Sequence, residues 1–505
     1  VDERYDRLID GKGSRMATPE NQIRVALVNP SPNASFQPLN LAFLAAYCQK
    51  DLGDAIALRL FDSAVSKTYA AELLDWKPDI AGITCLSSDL LLVEQLIREV
   101  RAARPGCLIV CGGVHAAISP EDLLAIGADL AVAGEGEITF SEIIQTWREQ
   151  GRDLSHPAWK HIHGLCYKKE DGSVETTPER ELIMNLDDLP HPARHLFNNE
   201  VYGRRYFVQR GMRTDGVFTV HGSRGCPFRC YFCCVNFTVH GKVRLHSPGY
   251  IADEMQSLVE TYRAKWIFFT DDTFLINKKH TAELCHEIIR RGLDKKVQWE
   301  AQVRSSLVRE QDIDLLKLMR AAGCRQVDIG FETGNQRMLE LIKGTGITVD
   351  DHRRALRLTK EAGIDVLGTF IIANPTETYA EMSDTVRFIE EEIRKGTLTR
   401  FQFGTAVPFP GTRLYQMAVE ENVVPADYLS LLRSRAGAGF GSVLCTRNST
   451  PAEVAAIETR LQALSSHALR WQDKVQWVLH NAVHNPRMVG NTLWQGLKSL
   501  FPARR

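Results

Sequence analysis

The chain has 505 residues, with Lys and Arg totalling 61 against 62 Asp and Glu, a net charge of −1 and 44% hydrophobic residues. That length accommodates two or three domains with sizeable cores, and the even charge balance offers no footprint for nucleic acid, which is not expected as a partner. No run of eighteen apolar residues occurs, so no membrane span is expected. The polar start Val1-Asp2-Glu3-Arg4-Tyr5 lacks the pattern of a signal peptide. The 12 scattered cysteines show no disulfide-like framework and point to a reducing, cytoplasmic setting.

Residues 1–22 form a polar lead-in. From there to residue 150 short apolar runs alternate with helical stretches. Strands are predicted at 24–30, 58–62, 80–84, 108–111 and 130–133, and helices at 38–51 and 91–103, the first with Leu41, Leu44, Ala45 and Cys48 on one face. Such alternation predicts a doubly wound parallel sheet. Its turns carry Ser87-Ser88, Gly112-Gly113-Val114-His115 and Gly134-Glu135-Gly136-Glu137 at the strand C-termini, where sheets of this kind bind ligands. No GxGxxG fingerprint is present, which tells against a nicotinamide dinucleotide. Residues 151–217 read as a connector. It holds a hairpin (Ile162 to Lys168, then Asp171 to Val174) and the segment Leu186-Asp187-Asp188-Leu189-Pro190. His191 and His195 read as surface histidines of a proline-rich connector rather than metal ligands.

The stretch 222–234, Gly-Ser-Arg-Gly-Cys-Pro-Phe-Arg-Cys-Tyr-Phe-Cys-Cys, places Cys226, Cys230 and Cys233 on one loop. A closed zinc site needs a fourth ligand, whereas a cubane iron–sulfur cluster held by three thiolates leaves one iron open. Arg224 and Arg229 flank the cysteines and are expected to offset the charge of a thiolate-ligated cluster. Cys234 follows Cys233 directly and reads as a packing residue. From Phe218 a βα rhythm resumes, with strands at 218–222, 266–271, 297–303, 326–331, 366–373 and 401–407 and helices at 249–263, 279–291, 310–322, 350–363 and 379–395. Six such units predict a partial (βα)6 barrel, whose chemistry lies at the strand C-termini. There stand the cysteine loop, Asp271-Asp272, Gln302 with Arg304, Glu332-Thr333, Asn374 and Pro408. Residues 411–505 are mainly helical, with a helix start at Thr450-Pro451-Ala452-Glu453. Val489, Leu493, Trp494, Leu497, Leu500 and Phe501 recur at helical spacing. That helix either packs on the body, the favoured reading, or makes peripheral membrane contact.

The order of these motifs, over roughly residues 24 to 460, resembles the cobalamin-dependent (class B) branch of the radical S-adenosylmethionine (SAM) superfamily. The resemblance implies domains at 1–150 (cobalamin-binding, Rossmann-like), 151–217 (connector), 218–410 (radical SAM barrel) and 411–505 (helical). It implies a 4Fe-4S cluster on Cys226, Cys230 and Cys233, which are the catalytic residues, with SAM on the open iron. SAM contacts are implied for Phe232, Thr270, Asp271, Asp272, Gln302, Arg304, Glu332, Thr333 and Asn374. Cobalamin contacts are implied for Asn29, Ser31, Pro32, Ser87, Ser88, Asp89, Gly112, Gly113, Val114, His115, Gly134, Glu135, Gly136 and Glu137. The chain departs from the family at two places. Ala373 and Thr376 replace the glycines of a Gly-x-Pro-Gly-Glu-Thr turn, and no histidine precedes His115, so no protein imidazole is expected below the cobalt. The implied function is methylation of an unactivated carbon of a small-molecule or biosynthetic-intermediate substrate, through a 5′-deoxyadenosyl radical and methylcobalamin. An electron donor such as flavodoxin or ferredoxin is implied. The alternatives are a cyclase or ring-rearranging enzyme on the same scaffold, and a non-catalytic corrinoid-binding protein.

Overall fold

The computed structural model describes residues 22–32, 36–151, 153–169, 171–199, 201–202, 216–424 and 447–468. The lead-in before residue 22 and the amphipathic stretch from Val489 lie outside the described residues.

The first unit starts with β1 (Ile23–Asn29), α1 (Leu39–Leu52), β2 (Ile56–Asp62), α2 (Tyr69–Trp76), β3 (Ile80–Thr84) and α3 (Leu90–Ala103). It continues with β4 (Leu108–Gly112), α4 (Val114–Ile118), α5 (Pro120–Ala125), β5 (Leu130–Val132), α6 (Glu137–Gln150), β6 (Leu165–Lys168) and β7 (Val174–Thr176). The seven strands run in the order β2-β1-β3-β4-β5-β6-β7. The first five are parallel, and β6 and β7 form the antiparallel hairpin that closes one edge. Period-two alternation sorts β1 between two cores. Val25 and Leu27 pack with α1 and α6, through Leu41, Ala45, Phe140 and Ile144, while Ala26 and Val28 pack with α3, through Val93, Leu96 and Val100. Helices on both faces make the sheet doubly wound, as expected. The sheet runs past residue 150, because β6 pairs with β5. The strand order reverses at β1, so a crevice opens beyond the C-termini of β1 and β3.

The second unit begins with β8 (Val217–Val220), β9 (Ser223–Arg224), α7 (Asn236–Val239), β10 (Arg244–Leu245), α8 (Pro248–Tyr262), β11 (Trp266–Phe269), α9 (Lys278–Arg290) and β12 (Gln298–Val303). Then come α10 (Ile313–Ala321), β13 (Cys324–Glu332), α11 (Gln336–Lys343), α12 (Val349–Glu361), β14 (Asp365–Ile372), α13 (Tyr379–Arg394), β15 (Arg400–Thr405), α14 (Arg413–Glu420) and α15 (Pro451–Ala468). Six parallel strands run β15-β14-β13-β12-β11-β8. One face is apolar: Ile267 and Phe269, Trp299, Ala301 and Val303, then Val327, Ile329 and Phe331 form one core with the surrounding helices. Among the described residues β15 does not pair with β8, so the barrel stays partial. The capping boxes at Thr348 with Asp351 and Thr378 with Glu381 start α12 and α13. α15 begins where the Thr-Pro signal put it. It buries Val454, Ile457 and Leu461 in the barrel core.

The sequence reading named no helix at α2, α4, α5, α6, α7 or α11, and α14 lies in the stretch read only as mainly helical. The two-turn α11 and α14 are too short to display a periodicity. Asn335 and Thr412 cap them, each accepting a bond from a backbone N–H three residues on.

Candidate functional site

The two units meet across a cavity of about 820 Å³. From the first unit Asn29, Ser31, Asp89, Gly112, Gly113, Val114 and residues Gly134 to Glu137 line it; from the second come His221, Arg224, Gly225, Cys234, Thr270 and Asp272. Several walls are bare backbone. A Cβ built on Gly112 or Gly134 meets nothing within 4 Å, so any side chain there would project into the space. Gly113 is required in another way: its φ is +98°, and a Cβ would lie 2.9 Å from the Cys85 carbonyl oxygen. Such a cradle fits a large planar ligand with a phosphate-bearing tail.

Pro32, Ser87, Ser88 and His115 do not line the cavity. The His115 ring is buried, with Nδ1 3.0 Å from the Ser87 hydroxyl and Nε2 3.6 Å from Asp122. The histidine on the cavity wall is instead His221, which follows β8. Its Nδ1 lies 3.0 Å from Thr270 Oγ1, and burial holds the ring neutral, near a pKa of about 3. A histidine five residues before a cysteine motif carries no spacing signal, so sequence reasoning passed over it.

The cysteine loop is held by the residues after β11. Asp271 accepts from the Gly222 N–H at 2.9 Å and from the Ser223 hydroxyl. Asp272 accepts from the Gly225 N–H at 2.9 Å. Burial pushes the Asp271 carboxyl up to about 7. This acidic pair therefore anchors loop backbone. Gly225 has φ +104°, and a Cβ there would sit 2.0 Å from the Lys242 carbonyl oxygen, so the turn into Cys226 accepts only glycine. Past the turn, Cys226 Sγ lies 3.4 Å from Thr273 Oγ1, Cys230 Sγ lies 3.3 Å from Arg304 Nη1, and burial pushes the Cys233 thiol up to about 12. Among the described residues no three His, Cys, Asp or Glu side chains converge on one metal ion. A cubane, which spreads its thiolates over separate irons, fits this loop better than a zinc ion.

The loop's far side is fixed by Tyr231. Its N–H donates to the Ile342 carbonyl at 2.9 Å, its carbonyl accepts from Leu414 N–H at 2.8 Å, and its hydroxyl donates to Asn374 Oδ1. Asn374 also donates to Glu377 at 2.9 Å, and burial pushes the Glu377 carboxyl up to about 7. Phe232 is half-buried beside Tyr231. Glu332 ends β13 with φ +66° and pairs with Lys343 Nζ at 3.1 Å. Unlike Lys77, His240 and Arg263, which take that conformation at helix ends, Glu332 takes it at the end of a strand. Gly330 permits the arrangement, since its Cβ would lie 2.4 Å from Glu332 Oε1. Thr333 turns behind the sheet, where its hydroxyl lies 2.9 Å from that of Thr385 on α13. Gln302 is exposed at the end of β12.

One expectation is overturned. Arg224 does not serve the cysteines. It donates to Glu135 at 2.9 Å and Glu137 at 2.6 Å, while Arg244 donates to Glu135 at 2.7 Å. Burial opposes ionisation of Glu135, yet Arg244 and Arg224 hold its carboxyl below the usual glutamate range. Arg229 is exposed. The cation at a cysteine sulfur is Arg304, from a strand end 74 residues further on.

The radical SAM superfamily profile matches residues 220–389, and the B12 binding domain profile matches residues 27–144. An uncharacterized methyltransferase of Pyrococcus horikoshii is 34% identical over 391 residues, covering 77% of this chain and 79% of that protein. The anaerobic magnesium-protoporphyrin IX monomethyl ester cyclase of Cereibacter sphaeroides is 27% identical, covering 80% of this chain and 65% of that protein. Among solved structures, the cobalamin-dependent S-adenosylmethionine radical enzyme OxsB with aqua-cobalamin and S-adenosylmethionine bound superposes with a TM-score of 0.71 at 17% identity, covering 96% of this chain and 74% of that one. The radical S-adenosylmethionine methyltransferase TsrM from Kitasatospora setae, with cobalamin and a [4Fe-4S] cluster bound, gives 0.68 at 20%, covering 90% and 92%. At these identities the structures share the fold.

Proposed function

Because the chain belongs to the cobalamin-dependent radical SAM enzymes, we propose that it is a methyltransferase acting on an unactivated carbon of a small-molecule substrate. The family's cofactors are a 4Fe-4S cluster, SAM and cobalamin: when bound, they supply the electron, the 5′-deoxyadenosyl radical and the methyl carrier. The observation that carries the reading is the shared cavity. The glycine cradle of the first sheet and the turn into the cysteine loop form walls of one space, so a methyl carrier and a radical generated at the barrel mouth would face the same substrate.

In this reading Cys226, Cys230 and Cys233 would hold the cluster, and Asp271 and Asp272 keep their loop in shape through the Gly222, Ser223 and Gly225 contacts. Glu332, paired with Lys343 at 3.1 Å, would offer its carboxylate to SAM. Gly112, Gly113, Gly134 and Gly136 would let a corrin approach backbone. The organometallic chemistry belongs to the cofactors. The electron comes from a donor such as flavodoxin or ferredoxin. Among the described residues no helix is long and apolar enough to cross a membrane.

Product accounting tests the reading. Each methylated product is expected with one 5′-deoxyadenosine and one S-adenosylhomocysteine, measured by mass spectrometry on the reconstituted enzyme with a substrate accumulated in a deletion strain. Altered substrate with 5′-deoxyadenosine but no gain of a methyl group would move the enzyme to the cyclase or rearrangement class, to which some of its relatives belong by name.

The cradle has its own test. Gly112 has an ordinary backbone conformation and open space at its Cβ, so Gly112→Phe should fill the cavity without straining β4. Cobalamin affinity is expected to fall about tenfold or more, since an ill-fitting ring forfeits at least 1.4 kcal/mol, with iron content unchanged. Cobalamin retention equal to wild type, read from the corrin absorbance, would show that the ligand lies elsewhere.

A further inference from the structure

Arg304 directly follows β12. Val303 before it faces the helix-side core, so strand alternation turns Arg304 toward the opposite, inner face. There its guanidinium is tethered on several sides. Nη2 donates to the Lys343 carbonyl at 3.1 Å, Nε donates to Ser306 Oγ at 3.1 Å, and the group stands 4.1 Å from the ring centroid of Phe228, a cation–π distance. Nη1 lies 3.3 Å from Cys230 Sγ. The residue is 8% exposed. Among the described residues its hydrogen bonds go to a carbonyl, a hydroxyl and a sulfur, and no carboxylate pairs with it. Phe228 lies between Cys226 and Cys230, so the cysteine loop itself provides the stacking platform that aims the cation at the sulfur.

We propose that Arg304 is a positioning residue that sets the reduction potential of the cluster, by donating a charge-assisted N–H···S bond to the Cys230 thiolate. This rests on the reading that Cys226, Cys230 and Cys233 hold a 4Fe-4S cluster. Reduction adds one electron, taken from an external one-electron donor, to the 2+ core and gives the 1+ core; no proton moves. The added negative charge spreads onto the thiolate sulfurs. A buried cation hydrogen-bonded to one of them stabilises the reduced state more than the oxidised one, because screening there is weak. Arg304 thus raises the potential toward that of a soluble donor.

The experiment is an EPR-monitored redox titration of the reconstituted full-length enzyme without SAM, with dithionite as reductant. Arg304→Met is expected to shift the midpoint to lower potential at equal iron content. Arg304→Lys keeps the charge but loses the planar fork, and its midpoint should fall between the two. Midpoints of both variants equal to wild type, with weaker SAM binding, would overturn the proposal and make Arg304 a SAM contact. If Arg304→Met fails to hold iron, the Lys variant decides: a midpoint identical to wild type overturns the proposal, and a lower one supports it. Wild-type protein that assembles no cluster would sink the underlying reading, which an unmoved potential on an intact cluster would not.

Discussion

Protein in which Cys226, Cys230 and Cys233 are all alanine is expected to contain no iron after anaerobic reconstitution and to lose the broad visible absorbance of the cluster. The three thiols stand on one loop whose entry is fixed by Gly222, Ser223 and Gly225 through Asp271 and Asp272, and whose exit is fixed by Tyr231. Those anchors are backbone and side-chain hydrogen bonds that do not involve the sulfurs. The triple variant should therefore fold, with cobalamin retention near wild type, while SAM cleavage disappears. Cys234 gives the internal control. It is half-buried and lines the cavity, which Cys226, Cys230 and Cys233 do not, so Cys234→Ala should hold iron as wild type does. Iron loss in the Cys234 variant equal to that in the triple variant would show that the ligand set is wrongly chosen.

Glu135→Ala should be the most damaging change away from the cysteines. The side chain is 8% exposed and bridges Arg224 and Arg244, whose side chains are 13% and 2% exposed. It also accepts the Ile183 N–H at 2.9 Å. Removing the carboxylate leaves both arginines buried without that partner, which typically costs about 3–5 kcal/mol. These contacts tie the first sheet to the short β9–β10 ribbon that opens the cysteine loop. Loss of stability should therefore appear together with loss of cobalamin retention. Denaturant unfolding and corrin absorbance after desalting measure the two. The sign of the pH dependence follows from the lowered carboxyl. A carboxylate held below its usual range contributes its full stability above that range and loses it as the pH falls through the lowered value. The gap between wild type and variant should persist at neutral pH and narrow in acid. A variant that unfolds with wild type and keeps its cobalamin would mean that this contact does not join the units.

What could be read from the chain alone was whatever is local in it. The C-x3-C-x2-C spacing lies on one loop, so its chemistry needs no partner from elsewhere. Strand alternation and the glycines after β4 and β5 are likewise short-range, and they placed the doubly wound sheet, the partial barrel and most of the cavity wall. The start of α15 was legible because a Thr-Pro-x-Glu cap acts over four residues. Partners distant in sequence were decided by the tertiary structure. Arg224 stands two residues before Cys226, yet the fold gives it to Glu135 and Glu137 of the other unit. Arg304, 74 residues beyond Cys230, takes the place beside the sulfur. Asp271 and Asp272 are adjacent acids whose use as loop anchors depends on the parallel register of β11 with β8. His115 was visible as the first histidine, but its ring turns to Ser87 and Asp122, while His221 reaches the cavity. The physical reason is common to all of these. Charge and hydrogen-bonding capacity are properties of a residue, whereas the partner that satisfies them is set by which strand ends the topology brings to the same mouth.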